Sequence, residues 1–186
     1  MRRSHVEHVV RAAGKICDDT EFFIVGSQSL HGKYPDLPDE ILVSQEVDIF
    51  AKNKRQNSEY LNAIGVDSPF HTTYGYYADP VDEQTAVLPR DWKNRVSHLQ
   101  MSETTTGIKA YCIDPHDLVV AKLAAARDKD RIFILALLVR KLVNAKTVQV
   151  RIAMTNVSKP RQSAMVALLA KLVGDCKRLA GGASSC

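Results

Sequence analysis

The stretch Phe22-Phe23-Ile24-Val25-Gly26-Ser27, read with Glu46-Val47-Asp48-Ile49 further along, decides how this chain folds. Four apolar residues running into Gly-Ser describe a buried strand that turns into a helix. Glycine lets the backbone turn sharply and approach a ligand closely. Ser27 suits the cap of the following helix, whose free N–H groups and dipole favour a phosphate. In the second stretch, strand alternation puts Glu46 and Asp48 on one face, with Val47 and Ile49 toward the core. Two carboxylates side by side repel one another unless a cation lies between them. Mg²⁺ fits, because this hard ion binds one or two carboxylates together with substrate phosphates. Each piece has a plainer reading alone: a Gly-Ser turn is common, and Glu-x-Asp suits a solvated strand face. Their combination points to metal-assisted phosphate chemistry.

Working outward, the apolar spacing of Val6, Val9, Val10, Ala13 and Ile16 predicts an amphipathic helix over residues 5–17, ended by Asp18-Asp19. A short helix is expected from Ser27 to Gly32, then a surface loop over Tyr34–Glu40, with two prolines and three acids. A helix carrying Tyr60, Leu61 and Ile64 closes at Gly65. The aromatic and β-branched run Phe70–Tyr77 reads as loop and strand, and Thr85–Leu88, Arg95–Gln100 and Ile108–Ile113 as short strands. Asp114-Pro115-His116-Asp117 then announces a helix with a cap, a first-turn proline and an acid at the favourable dipole end. Helical periodicity dominates from Leu118 to a fraying tail at Gly181–Ser185. This pattern predicts an α/β (α+β) fold. Residues 1–145 form the main domain, and residues 146–186 a helical extension of the same compact body.

Composition excludes several classes. The 186 residues are 45% hydrophobic and 25% charged, ordinary values for a globular domain. Apolar runs such as Ile132–Val139 are too short to cross a bilayer, and the start of the chain has no apolar signal region. Cys17, Cys112, Cys176 and Cys186 lie far apart without C-x-x-C spacing, so reduced thiols in the cytoplasm are expected and structural zinc is not. Net charge of +4 conceals an asymmetry: residues 1–119 carry 12 Lys/Arg against 18 Asp/Glu, and residues 120–186 carry 13 against 3. Solvated helix faces account for such a bias, as does a basic surface for RNA. His31, His71, His98 and His116 lack metal-ligand spacing. Tyr74, Tyr76 and Tyr77 suit packing around a glycine turn as well as base stacking, and Trp92 suits a core anchor.

Several motifs recur in a recognisable order: Gly26-Ser27-Gln28-Ser29, Glu46-Val47-Asp48, Ser68-Pro69-Phe70-His71 and Tyr74-Gly75-Tyr76-Tyr77-Ala78-Asp79. After them come Thr85-Ala86-Val87-Leu88-Pro89, Pro115-His116-Asp117-Leu118 and the run from Lys122 through Arg127 to Asp130. Over roughly residues 5–145 the chain resembles bacterial minimal nucleotidyltransferases of the DNA polymerase beta superfamily, relatives of the AbiEii-type toxins. The resemblance implies a small mixed sheet flanked by helices, with a helical C-terminal part. It also implies Mg²⁺-dependent transfer of a nucleoside monophosphate from a nucleoside triphosphate to an acceptor hydroxyl. In the related toxins the acceptor can be the 3′ end of tRNA, so RNA and a cognate antitoxin are the implied partners, and no membrane. By position, Gly26 and Ser27 hold the triphosphate, Glu46 and Asp48 hold Mg²⁺, and Lys122 lies over the triphosphate. Asp130 then orients Lys122 or Arg127.

Three features depart from the pattern. Glutamate replaces the more usual aspartate at position 46, the gap between Gly26 and Glu46 is wide, and no strand offers an evident third carboxylate. The alternative is therefore a module that keeps the fold and binds nucleotide or protein without chemistry. Lys122 and Asp130 would also stand roughly 12 Å apart along one continuous helix, so a direct bond needs a break between them.

Overall fold

A five-stranded mixed sheet with its own helices, and a further set of helices later in the chain, account for most of the described residues. The computed structural model describes residues 1–101 and 107–182, so the expected tail beyond Gly182 lies outside the described residues. Its contacts fall into two units: Met1–Ala86 with Lys93–Asp114, and Val87–Trp92 with the chain from Pro115 onward. The sequence-expected boundary at 145/146 falls inside the second unit.

The first unit opens with helix α1 (Arg3–Cys17), whose Val6, Val9, Val10 and Ala13 are buried, and which ends where Asp18 turns left-handed at φ 49°. Strands β1 (Glu21–Ile24), β2 (Glu46–Ala51), β3 (Tyr77–Pro80), β4 (Ser97–His98) and β5 (Lys109–Cys112) form the sheet in the order β3-β2-β1-β5-β4. β1 pairs antiparallel with β2 and parallel with β5, and β2 pairs parallel with β3. Alternation sorts the two faces. Phe22, Ile24, Val47, Ile49, Ala51, Ala78, Ala110 and Cys112 share one core with α1 and with Leu61 and Ile64 of the 3₁₀ helix Arg55–Ile64. The opposite face carries Glu21, Phe23, Glu46, Asp48, Phe50, Tyr77, Asp79 and Tyr111, with the rings of Phe50 and Tyr111 5.3 and 5.5 Å from that of Phe23.

Two local readings of the sequence are corrected. Phe70–Tyr74 is helical: α2 (Pro69–Tyr74) starts where Ser68 accepts a hydrogen bond from the His71 N–H and stops at Gly75, at φ 74°. Proline at the first helical position and glycine just past the end outweigh the aromatic and β-branched content. Thr85–Leu88 is no strand, because Asp82 accepts hydrogen bonds from the N–H groups of Gln84 and Thr85 and bends the chain into a turn.

At the edge of the polar face remote from Glu46, Glu21 accepts hydrogen bonds from Tyr111 Oη (2.5 Å), Lys52 Nζ (3.0 Å) and Asn53 Nδ2 (3.3 Å). The Tyr111 hydroxyl first, then Lys52 and Asn53, hold its carboxyl down to about 2, against an ordinary 4.5. A carboxyl depressed on folding stabilises fully above its unfolded value, and that contribution disappears as pH falls through the folded one. Thermal melts of Glu21→Gln should therefore lie below wild type at pH 7, and the gap should close between pH 4.5 and about 2. A gap independent of pH would remove Glu21 from the acid response.

The second unit is helical: α3 (Pro115–Ala125), α4 (Asp128–Val139), α5 (Ala145–Ala153) and α6 (Lys159–Gly182). Its buried residues include Leu118, Val119, Leu123, Ile134, Leu137, Val148, Ile152, Met165, Leu169 and Leu172. Asn144 caps α5 through the Lys146 and Thr147 N–H groups. Arg151 on α5 meets the fully buried Asp117 on α3 at 3.1 Å. Trp92 is buried, and the segment before it is tied down by the Arg90 N–H donating to the Met154 carbonyl at 3.0 Å. Among the described residues no helix is long and apolar enough to cross a membrane.

Candidate active site

Just past β1, the Val25 N–H donates to the Asp48 carbonyl at 3.0 Å, so the β1–β2 pairing continues to the residue before Gly26. Gly26 is extended, at φ −94° and ψ −161°, a conformation open to any residue. What demands glycine here is space. A Cβ on Gly26 would fall 1.6 Å from Asp48 Oδ2 and 2.3 Å from its Cγ. The glycine lets a carboxylate lie directly on the main chain where the strand becomes the 3₁₀ helix Ser27–Gly32. Ser27 does not cap that helix as expected: Gly26 is the cap residue, and it has no side chain with which to bond the helix start. The helix is moored instead by Gln28, nearly fully buried, whose Nε2 donates to the Ser44 carbonyl at 3.2 Å. Ser44 Oγ in turn accepts from the Glu46 N–H at 3.3 Å, so the turn and the acidic strand are held together. Buried beside this link, Gln28 Oε1 and Ser29 Oγ have no hydrogen-bond partner among the described residues.

On β2, Glu46 and Asp48 are half-buried while Val47 and Ile49 are fully buried, as the alternation predicts. The parallel neighbour β3 sets Tyr77 beside Glu46 and Asp79 beside Asp48. Asp79 thus supplies the strand carboxylate that the sequence left without a candidate. Burial first, and then the charge of Glu46, push its carboxyl above the ordinary aspartate value. Three acids on one sheet face are costly unless positive charge reaches them. Among the described residues, no three His, Cys, Asp or Glu side chains form a group ready to hold a metal ion. The donor set still fits Mg²⁺, which binds through one or two carboxylates and takes its other ligands from water and phosphate.

Lys122, Arg127 and Asp130 lie in the second unit, where the break required by the helical spacing is present. α3 ends at Ala125, Ala126 turns left-handed at φ 55°, and extended Arg127 leads into α4. The reversal brings Asp130 Oδ1 within 3.0 Å of Lys122 Nζ, and Asp130 Oδ2 within 2.7 Å of Arg127 Nε. Asp130 is 1% exposed. Burial alone would raise its carboxyl, but the hydrogen bonds and charges of Arg127 and Lys122 outweigh it and hold it low. Lys122 also lies 4.8 Å from the centre of the Phe133 ring.

The remaining candidates take ordinary places. His31 Nε2 lies 3.0 Å from the Met1 carbonyl oxygen, and His116 Nε2 accepts from the Asn144 N–H at 3.1 Å. Tyr74 and Tyr76 pack with His5, His8 and Phe70 around the Gly75 turn. His71 lies against Tyr77, their ring centres 4.6 Å apart.

A mixed sheet flanked by helices, with an acid pair on the strand after a Gly-Ser turn, defines a nucleotidyltransferase-like fold. The chain belongs to the DUF6036 family, nucleotidyltransferases of unknown function, whose family model matches residues 5–171. No curated protein and no solved structure matches it significantly.

Proposed function

We propose that this chain is a Mg²⁺-dependent nucleotidyltransferase that moves a nucleoside monophosphate from a nucleoside triphosphate to an acceptor hydroxyl. The observation that carries the reading is the acid pair Glu46 and Asp48, with Asp48 seated on Gly26 and Asp79 in register beside it. Glu46 and Asp48 would hold Mg²⁺, which when bound supplies positive charge to phosphate oxygens and to the departing pyrophosphate. Gly26 and Ser27 offer main-chain N–H groups to the triphosphate. Asp79, with its raised carboxyl, is suited to take the proton of the attacking hydroxyl. The acceptor oxygen then bonds to the α-phosphorus, the α–β bridging bond breaks, and pyrophosphate leaves. Lys122 and Arg127 are the second unit's candidates for polyphosphate, with Asp130 orienting both.

RNA is the acceptor class we favour, supported by the basic excess after residue 119 and by the resemblance to AbiEii-type toxins. A cognate antitoxin and a cytoplasmic location belong to the same reading. The alternative is a module that keeps the fold and binds nucleotide or protein without chemistry, suggested by glutamate at position 46 and the wide gap after Gly26. Incubation with each α-³²P-labelled NTP, Mg²⁺ and total bacterial RNA separates the two. Label appearing in RNA identifies the enzyme, the nucleotide and the acceptor. Saturable Mg²⁺–NTP binding without transfer identifies the binder.

A further inference from the structure

Glutamate at the first acid position needs more than a strand to aim it. Its side chain has one methylene and one rotatable bond more than aspartate, so its oxygens sweep a wider volume. The fold restrains it from β3. Tyr77, Glu46's partner in the parallel register, donates its phenolic hydroxyl to Glu46 Oε2 at 3.3 Å. Tyr77 is itself held through its main chain and its ring. Its backbone N–H donates to the Gln45 carbonyl at 3.0 Å, fixing the strand. The ring of His71 lies 4.6 Å away at an interplanar angle of 56°. His71 is in turn fixed, because its ring Nδ1 accepts from the Asp67 N–H at 3.1 Å and its main-chain N–H donates to Ser68 Oγ, the α2 cap, at 3.1 Å. A continuous chain of contacts therefore runs from the α2 cap to one oxygen of Glu46.

We infer that Tyr77 is a positioning residue that sets the cation preference of the site, an inference that rests on Glu46 and Asp48 holding a metal. The hydrogen bond to Oε2 turns the carboxylate and draws on one of that oxygen's lone pairs, so Glu46 would present Oε1 foremost to a bound cation. Mg²⁺ takes single oxygens in a small, near-octahedral shell, whereas Ca²⁺ readily takes a carboxylate through both oxygens. The hydroxyl of Tyr77 would thus favour Mg²⁺ by competing with Ca²⁺ for the second oxygen of Glu46. It also explains how this chain uses glutamate at a position where the shorter aspartate is more usual.

The test is calorimetric titration of MgCl₂ and of CaCl₂ into the full chain with a non-hydrolysable NTP analogue. Wild type, Tyr77→Phe, Glu46→Gln and the double variant are compared, each checked for folding by circular dichroism. Tyr77→Phe keeps the ring against His71 and removes only the donor. Groups that orient metal ligands typically contribute 10–100-fold to affinity, so Tyr77→Phe should weaken Mg²⁺ about tenfold. Ca²⁺ binding should hold or tighten, so the Mg²⁺ over Ca²⁺ ratio collapses. In the Glu46→Gln background the tyrosine substitution should change nothing further. Unaltered affinities for both ions in folded Tyr77→Phe, with Glu46→Gln losing the metal, would overturn the inference and leave the metal site standing. No divalent-cation binding by wild type would overturn the metal reading and the inference with it.

Discussion

Asp48→Asn should abolish NTP-dependent transfer while leaving the fold intact. The substitution is isosteric and sits on a half-buried sheet face, so no cavity opens. It removes one negative charge from a face that also carries Glu46 and Asp79, relieving repulsion that is felt when no cation is bound. Charge stabilisation by a catalytic cation amounts to several kcal/mol, and each 1.36 kcal/mol is tenfold in rate, so transfer should fall by about 10³-fold or more. A loss of activity together with a steady or raised melting temperature marks a functional acid; a fall in both would make Asp48 structural. Gly26→Ala is the control from the other side of the same contact. Its methyl would need the space 1.6 Å from Asp48 Oδ2, so the carboxylate must leave its place although the acid remains. Activity should fall as with Asp48→Asn, and overpacking should lower stability by about 1–3 kcal/mol. Full transfer by either variant would sink the assignment of the site.

How much of this was legible beforehand follows from how local each determinant is. α1 repeats its apolar residues at helical spacing, and β1 and β2 declare themselves by run and alternation. Those signals lie within a few residues of one another, and the structure matches them. α2 was equally local, through Ser68, Pro69 and Gly75, but the β-branched and aromatic run between them masked the cap signals. Asp79 could not be found that way. Tyr77-Ala78-Asp79 repeats the polar-apolar-polar alternation of Glu46-Val47-Asp48, yet only the β2–β3 pairing, some thirty residues apart in sequence, makes its acid a neighbour of Asp48. The need for glycine at position 26 was visible and its cause was not. The backbone there is ordinary, and the reason is an Asp48 side chain that arrives from another strand. The left-handed turn at Ala126 carries no glycine or proline to announce it, so the Lys122–Asp130 contact was legible only as a distance one helix could not span.

That contact gives the second large effect. Asp130 is 1% exposed and neutralises Lys122, whose side chain is 15% exposed. Removing one partner of a buried pair typically costs about 3–5 kcal/mol, because the other charge is left without compensation. Asp130→Ala should therefore be strongly destabilising. Arg127, with its side chain 57% exposed, adds little to that cost because water can replace its partner. Lys122→Met in the Asp130→Ala background should recover much of the lost stability, since both buried charges are then gone. Stability alone would make the pair a structural brace at the α3–α4 break. Binding of a Mg²⁺–NTP analogue by the single Lys122→Met variant separates the two roles. If Lys122 serves the triphosphate, that variant should fold and lose nucleotide affinity, and the double variant should recover stability without recovering binding. Wild-type nucleotide affinity in Lys122→Met would confine the lysine to the brace and shift the phosphate role to other cations, Arg127 first, because its side chain is the more exposed of the two that Asp130 holds.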